Sequence, residues 1–405
     1  MKDCFHEMSH LSNGASDRYC LKEGIYKGCY ELSGKCREFI QKCVVGGRVM
    51  VRDNTPCRVK ELVQDYDGVS LYLSSMNRIL GTLKGTPKVI KQGQLNEKFL
   101  LAQSGFFVKA KVISIQTNRH FPLYSYIDEE TMVRNFSNDM IGKTLYLDKI
   151  AYEDAINKDF QGYKLELECG YYFNDGHNNK LKELSTFLFE ERLKKKKEGN
   201  KIQECYKLIG NAIYGKNIEK EHDTITTFLN TKAKCDKFIL RNHNYLYGPY
   251  YNIGNDTWVV KIKKTINSHY SRPHIGSEIL STSKRIMNEV MCLAEDNDCN
   301  IYYQDTDSMH ILDCDIEKLE KAFTAKYNRE LTGSKMHQFH TDFNTIEGTD
   351  KKILPIAIES IFLGKKSYYD LIEYTMLDGS KEYHEHIRLK GIPNRAITQH
   401  EQYTV

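Results

Sequence analysis

The stretch IYYQDTDSMHIL, residues 301–312, constrains the fold of this chain more than any other. Two short apolar runs flank a polar Asp-Thr-Asp turn, the pattern of a β-hairpin with acids at its tip. Such a hairpin needs a larger sheet to sit in. Asp305 and Asp307, held on rigid strands, could ligate hard divalent cations. Plain turn chemistry explains an isolated Asp-Thr-Asp equally well.

The rest of the chain supplies the sheet and its cover. Residues 55–66 read as a strand leading to Asp67. Residues 180–197 read as a helix with Leu181, Leu184, Leu188 and Leu193 along one side, broken by Glu198-Gly199-Asn200. A second helix begins at Ile202, with Tyr206, Ile209 and Ile213 at helical spacing, and is expected to close at Gly215. So short a connection predicts an antiparallel helical hairpin. Residues 275–295 form a third helix, with Ile275, Ile279, Ile286, Val290 and Leu293 on its buried stripe. Residues 355–371 read as further sheet. This order suits an α+β domain with helices on one face of an antiparallel sheet. Segments 100–175 and 220–260 look like insertions.

With 405 residues, 40% hydrophobic and 28% charged, the chain can form two or three packed units. No apolar run approaches the length of a membrane-spanning helix, and the N-terminus lacks a signal-peptide core. Twelve cysteines without paired CxxC spacing point to reduced thiols in an intracellular protein, cytoplasmic or nuclear. Cys4, His6, His10 and Cys20 match no common zinc pattern. The net charge of +4 is small, but residues 190–220 carry nine Lys/Arg against five acids. A phosphate-binding groove needs such a cluster, and a solvated helix face produces one too.

Four motifs carry chemistry. In DGVSLYLSS, Asp67 sits where a strand ends, followed by Ser70, Leu71 and Tyr72. Asp67 and Asp307 on adjacent strands could each touch both of two ions ~3.5–4 Å apart, one activating an attacking oxygen and the other stabilising a leaving one. In KLIGNAIYG, Lys207, Asn211 and Tyr214 share one helix face beside the apolar stripe. A lysine, an amide and an aromatic ring so arranged could bind a triphosphate and a base together, or simply face solvent. In GKKSYYD, Lys365, Lys366 and Tyr368 flank an apolar strand, where lysines grip phosphate or protect a sheet edge. Lastly, Gly46 and Gly47 pair in CVVGGRVM.

DGVSLY, KLIGNAIYG, YQDTDS and KKSY occur in the order and approximate spacing of the motifs of family B DNA polymerases. The glycine pair resembles the junction before the polymerase domain in the protein-primed branch of viruses, linear plasmids and Maverick-Polinton-like elements. The resemblance spans residues 40–395. It implies a right-hand fold. Residues 1–99 would be an N-terminal segment and the first part of the palm, and 100–175 an insertion associated with it. The fingers would be 176–217, a second insertion 218–256, the remaining palm 257–372, and a short thumb 373–405. It implies DNA-directed DNA synthesis with two Mg²⁺ ions, for which Mn²⁺ can substitute. Asp67 and Asp307 would hold the metals and Asp305 would assist. Ser70, Leu71, Tyr72, Lys207, Asn211 and Tyr214 would bind the nucleotide, with Tyr72 excluding a 2′-hydroxyl. Lys365, Lys366, Tyr368, Gly46 and Gly47 would contact primer and template. The implied partners are DNA template and primer, deoxynucleoside triphosphates and a terminal priming protein, with no membrane.

The chain departs from the family pattern at Leu73 (usually proline), Ala212 (usually serine) and Val44 (usually tyrosine), none of them a metal ligand. The acidic motifs of a proofreading exonuclease are missing before Gly46, so no exonuclease is expected in this chain. Two other readings place the same acids differently: a catalytically silent relative that binds nucleic acid, and a reverse transcriptase or other palm-fold polymerase. A structural protein would require the four motifs to coincide by chance.

Overall fold

The computed structural model describes residues 13–219, 224–263, 271–389 and Gly391, with side chains from Ser16 onward. Cys4, His6 and His10 lie outside the described residues, as does most of the chain beyond Leu389. The eleven described cysteines are free thiols. No helix among the described residues is long and apolar enough to cross a membrane.

The centre is a nine-stranded sheet. Its strands are β1 (Val49–Val51), β2 (Cys57–Val59), β3 (Val63–Gly68), β4 (Ile301–Asp305), β5 (Ser308–Leu312), β6 (Phe339–Thr341), β7 (Ile356–Gly364), β8 (Ser367–Thr375) and β9 (Lys381–Leu389). They lie in the order β1-β4-β5-β3-β7-β8-β9, with β6 on β3 and β2 on β7. All these pairings are antiparallel. The single strand expected over 55–66 is two strands. β2 pairs with β7 whereas β3 pairs mainly with β5, so the chain bends at residues 60–62 to change partners.

Strand alternation sorts the two faces of the sheet. Tyr66, Met309 and Ile311 share a core with Ile286, Met287 and Val290 of the long helix Pro273–Asp296. Leu319 and Phe323 of the helix Asp313–Tyr327 join them. Val63, Tyr303 and Leu312 face the other way, packing with Phe343, Phe362 and Tyr368. Asp65 and Asp67 alternate with Tyr66, so they stand on the face away from these helices.

We label the helices that frame the site α1 (Leu71–Arg78), α2 (Lys180–Lys197), α3 (Gln203–Asn217) and α4 (Pro273–Asp296). Gly199, at φ +64°, breaks the chain between α2 and α3, and the two helices pack together. Leu181, Leu184 and Leu188 of α2 and Tyr206, Ile209 and Ile213 of α3 share a core with Leu73 and Met76 of α1 and Ile275 and Ile279 of α4. Gly215 does not end α3. The helix continues to Asn217, whose amide donates to the Ile213 carbonyl at 2.8 Å and to the Tyr26 hydroxyl at 3.0 Å.

Both segments expected to be insertions contain strands and helices. The first builds a four-stranded sheet from Lys88–Val89, Gly105–Ile115, Thr144–Asp148 and Tyr163–Phe173, with the helix Lys149–Ile156 on its own core. Ser281 of α4 anchors it through a 2.7 Å bond to the buried Asp148 carboxyl. The second pairs Trp258–Lys263 with Thr224–Leu229 on one side and Tyr251–Asn252 on the other, beside the helix Lys232–Asn242. Residues 220–223 of that insertion lie outside the described residues.

Candidate active site

Asp67 ends the inner strand β3, where it faces Ser308 of β5 across the ladder. The Gly68 N–H donates to the Asp307 carbonyl at 2.8 Å, which sets the two aspartates side by side at one end of the inner strands. The β4–β5 turn is tight. Thr306 has φ +63°, and the Asp307 N–H donates to the Asp305 carbonyl at 2.7 Å. Asp305 is buried, whereas Asp67 and Asp307 are half-buried and open to solvent.

Sequence reasoning missed two neighbours. His340 of β6 is the register partner of Asp67, and Asp342 follows two residues later. Asp67, His340 and Asp342 offer ligand atoms within 4.8 Å of one another, and both newcomers are exposed. The available signal was the His-x-Asp spacing, which puts both side chains on one face of a strand.

The lysine pair diverges at the β7–β8 turn. Lys366, at φ +65°, places its ammonium 2.9 Å from Oδ1 of Asp305 and donates its backbone N–H to the Tyr303 hydroxyl. Lys365 turns away to the hairpin formed by Ser125–Ile127 and Arg134–Phe136, bonding the Arg134 carbonyl at 2.5 Å and Asn135 Oδ1 at 2.7 Å. Tyr368 is buried, its ring against Tyr303 and His310. Beneath it the fully buried His310 ring lies 3.5 Å from Asp65 and 3.4 Å from Asp370. Burial pushes the Asp65 carboxyl up to about 6, against the pull of His310. Burial would raise Asp370 too. His310 beside it, with hydrogen bonds from His310, His386 and Ser360, outweighs this and holds Asp370 well below the usual carboxylate range.

Sequence comparison with the family model described as DNA polymerase type B, organellar and viral, finds a match over residues 18–272. The chain belongs to the type B DNA polymerases. No curated protein sequence matches it. Among solved structures, Phi29 DNA polymerase complexed with primer-template DNA superposes with a TM-score of 0.66 at 14% identity. The ternary complex of that enzyme with incoming nucleotide substrates gives the same values, and its orthorhombic crystal form gives 0.66 at 15%. Each match covers 96% of this chain and 61% of the other. At this identity the likeness establishes the α+β polymerase fold, and the chain spans about three-fifths of the length of those structures.

In this type B polymerase chain, α1 follows directly on β3 and packs against α3. Ser70 caps α1 in a left-handed conformation, φ +48°, and its hydroxyl accepts from Arg192 of α2 at 2.8 Å. The Leu71 side chain is buried in the core of the main sheet, so only its backbone can meet a ligand. Tyr72 stacks on Tyr214 of α3 with ring centroids 3.8 Å apart. Asn211 and Lys207 are exposed about one and two turns along α3 from Tyr214. The departure at Leu73 is accommodated by close packing, since a Cβ on Gly210 would come within 3.0 Å of the Leu73 side chain. Gly47 lies against the Asp305–Asp307 turn, where a Cβ would sit 2.6 Å from Cγ2 of Thr306. Gly46 is exposed with open space around it.

Proposed function

We propose that this chain is a DNA-directed DNA polymerase that adds deoxynucleotides to a primer 3′ end. The observation that carries the reading is the direct backbone bond from Gly68 to Asp307, which unites two carboxylates from strands some 240 residues apart in sequence. The donor set fits hard divalent cations. Asp67 and Asp307 would hold two Mg²⁺ ions, with Mn²⁺ as a substitute, and His340 and Asp342 stand beside Asp67 as further donors. When bound, such ions polarise the phosphoryl group and stabilise the attacking and leaving oxygens.

The chain's own groups would do the positioning. The exposed ammonium of Lys207 offers charge to a triphosphate, and Asn211, Tyr214 and the Ser70–Leu71 backbone line the nucleotide position. Tyr72 would lie under the sugar and reject a 2′-hydroxyl. Lys366 would hold the primer end while neutralising Asp305. Buried Tyr368 supports that turn, and Lys365 ties it to the first insertion, placing the insertion's hairpin beside the primer. In this reading the nine-stranded sheet is the palm, α2 and α3 are the fingers, and the chain after β8 leads to the thumb.

The likeness to Phi29 DNA polymerase, whose structures hold primer-template DNA and nucleotides, supports the same partners here. We read the two folded insertions as those of a protein-primed replicator of a virus or mobile element, acting inside a host cell with a terminal priming protein. Extension of a labelled primer by the purified chain, with Mg²⁺ present or chelated and with DNA or RNA as template, tests the proposal. Template-dependent extension on DNA that stops on chelation supports it. A chain that binds the duplex without extending it is a silent relative, and a preference for RNA marks another palm-fold polymerase.

A further inference from the structure

The residue after the glycine pair, Arg48, is buried at 3% exposure. Its guanidinium donates to Gln304 Oε1 at 2.5 Å, to the Phe121 carbonyl at 2.7 Å and to the Pro122 carbonyl at 3.0 Å. Its own carbonyl accepts from the Thr306 N–H at 2.8 Å. Gln304 and Thr306 flank Asp305. One residue therefore grips the acidic turn at two points and ties it to the first insertion. The close approach of Gly47 to Thr306 lets the Arg48 carbonyl reach the turn.

The direction of the grip matters. Arg48 stands two residues before Met50 and so shares its face, whereas Gln304, the register partner of Met50, alternates with Asp305, so Arg48 and Gln304 lie on the helix side of the sheet. The carboxylates lie on the other side. Arg48 braces the turn from behind, out of reach of nucleotide, primer or metal. An apolar side chain would fill the space without the desolvation cost of a buried cation. It could not hold three acceptors from two segments in fixed directions, as a planar guanidinium does. Burial lowers the Arg48 group to about 10, so it remains charged near neutral pH.

We infer that Arg48 is a positioning residue for metal binding, fixing the Asp305–Asp307 turn so that Asp307 meets Asp67 in register; this rests on the polymerase reading of the same site. Substitutions behind metal ligands typically cost about 10–100-fold in affinity. The test is a Mn²⁺ titration of the full chain by electron paramagnetic resonance, with the catalytic-site signal identified by its loss in Asp307→Asn. Arg48→Met should raise the half-saturating Mn²⁺ concentration about tenfold or more. Arg48→Lys, which keeps charge but loses the fork, should raise it less. Gln304→Met, which removes one acceptor, should move it the same way, and it decides the matter if Arg48→Met does not fold. Primer extension against Mg²⁺ concentration should shift in parallel. Folded Arg48→Met and Gln304→Met proteins with wild-type half-saturation would overturn the assignment. A wild-type chain that binds Mn²⁺ but extends no primer would overturn the polymerase reading and leave that of Arg48 standing, and one that binds no Mn²⁺ would overturn both.

Discussion

Tyr72 and Tyr214 stack face to face, 3.8 Å between ring centroids and 17° between planes. One ring comes from the helix that follows Asp67 and the other from the second helix of the hairpin, so the stack joins the helix after Asp67 to the exposed Lys207 face. If Tyr72 also lies under the incoming sugar, its discrimination is steric. Tyr72→Val should raise the ratio of ribonucleotide to deoxyribonucleotide incorporation by at least about tenfold, equivalent to about 1.4 kcal/mol. Competing single-nucleotide additions measure it. An unmoved ratio would make Tyr72 a packing element between α1 and α3 and nothing more.

The two adjacent lysines are expected to behave differently. Lys366 reaches Asp305, whereas Lys365 reaches Arg134 and Asn135. Lys366→Met should lower primer extension by at least about tenfold. Asp305 is buried at 3% exposure, so losing the ammonium beside it should also lower the melting temperature, and rates are compared below the melt of each variant. Lys365→Met should lose less activity. Steady-state extension rates for both variants decide the point, and equal losses would contradict the divergence of the two side chains.

The hairpin at 301–312 and helices α2, α3 and α4 were legible because their signals are local: alternation around a polar turn, and leucines or isoleucines at helical spacing. What escaped depended on distant partners. β6 is three residues long, and it acquires meaning only by pairing with β3, far back in the chain. Nothing around His340 and Asp342 ties them to Asp67 until that pairing forms. The bend at residues 60–62 arises because β2 and β3 choose different neighbours, which no local pattern records. Lys365 and Lys366 are equivalent in sequence, and the positive φ of Lys366 separates them. Gly215 fits a helix stop, but the side chain of Asn217, bonded to Tyr26, carries α3 further.

His274 supplies a test of the core. It is fully buried in α4, stacked on Phe173 at 5.8 Å, and neither ring nitrogen has a hydrogen-bond partner. Burial, with Arg272 nearby, lowers its pKa to about 3. The unfolded chain takes up the proton first as pH falls through the ordinary histidine value, so stability is lost between about pH 6.5 and 3. At pH 5 the loss relative to pH 7 is about 2 kcal/mol from this group. His274→Phe should remove that part of the acid sensitivity. Urea melts of wild type and variant at pH 7 and pH 5 measure it, and an identical pH dependence in the two proteins would contradict a buried neutral histidine.

In the segment expected to be the second insertion, Trp258–Lys263 pairs with Thr224–Leu229. If it closes over DNA, replacing residues 224–263 by a short Gly/Ser linker should spare single-nucleotide addition. Product length per binding event, and synthesis through duplex DNA, should fall sharply. Trap-limited extension reads both, and unchanged processivity would reduce the segment to a surface elaboration.

The central claim is that Asp67 and Asp307 together hold the catalytic ions. The most direct measurement is the single-turnover extension rate of Asp67→Asn and Asp307→Asn in saturating Mg²⁺, alongside their melting curves. Electrostatic stabilisation supplies nearly all of phosphoryl-transfer catalysis, so each variant should lose about three orders of magnitude or more. Both should keep a cooperative melt, because removing one of several clustered like charges relieves repulsion. A folded Asp307→Asn chain that extends primers at near wild-type rate would contradict the account.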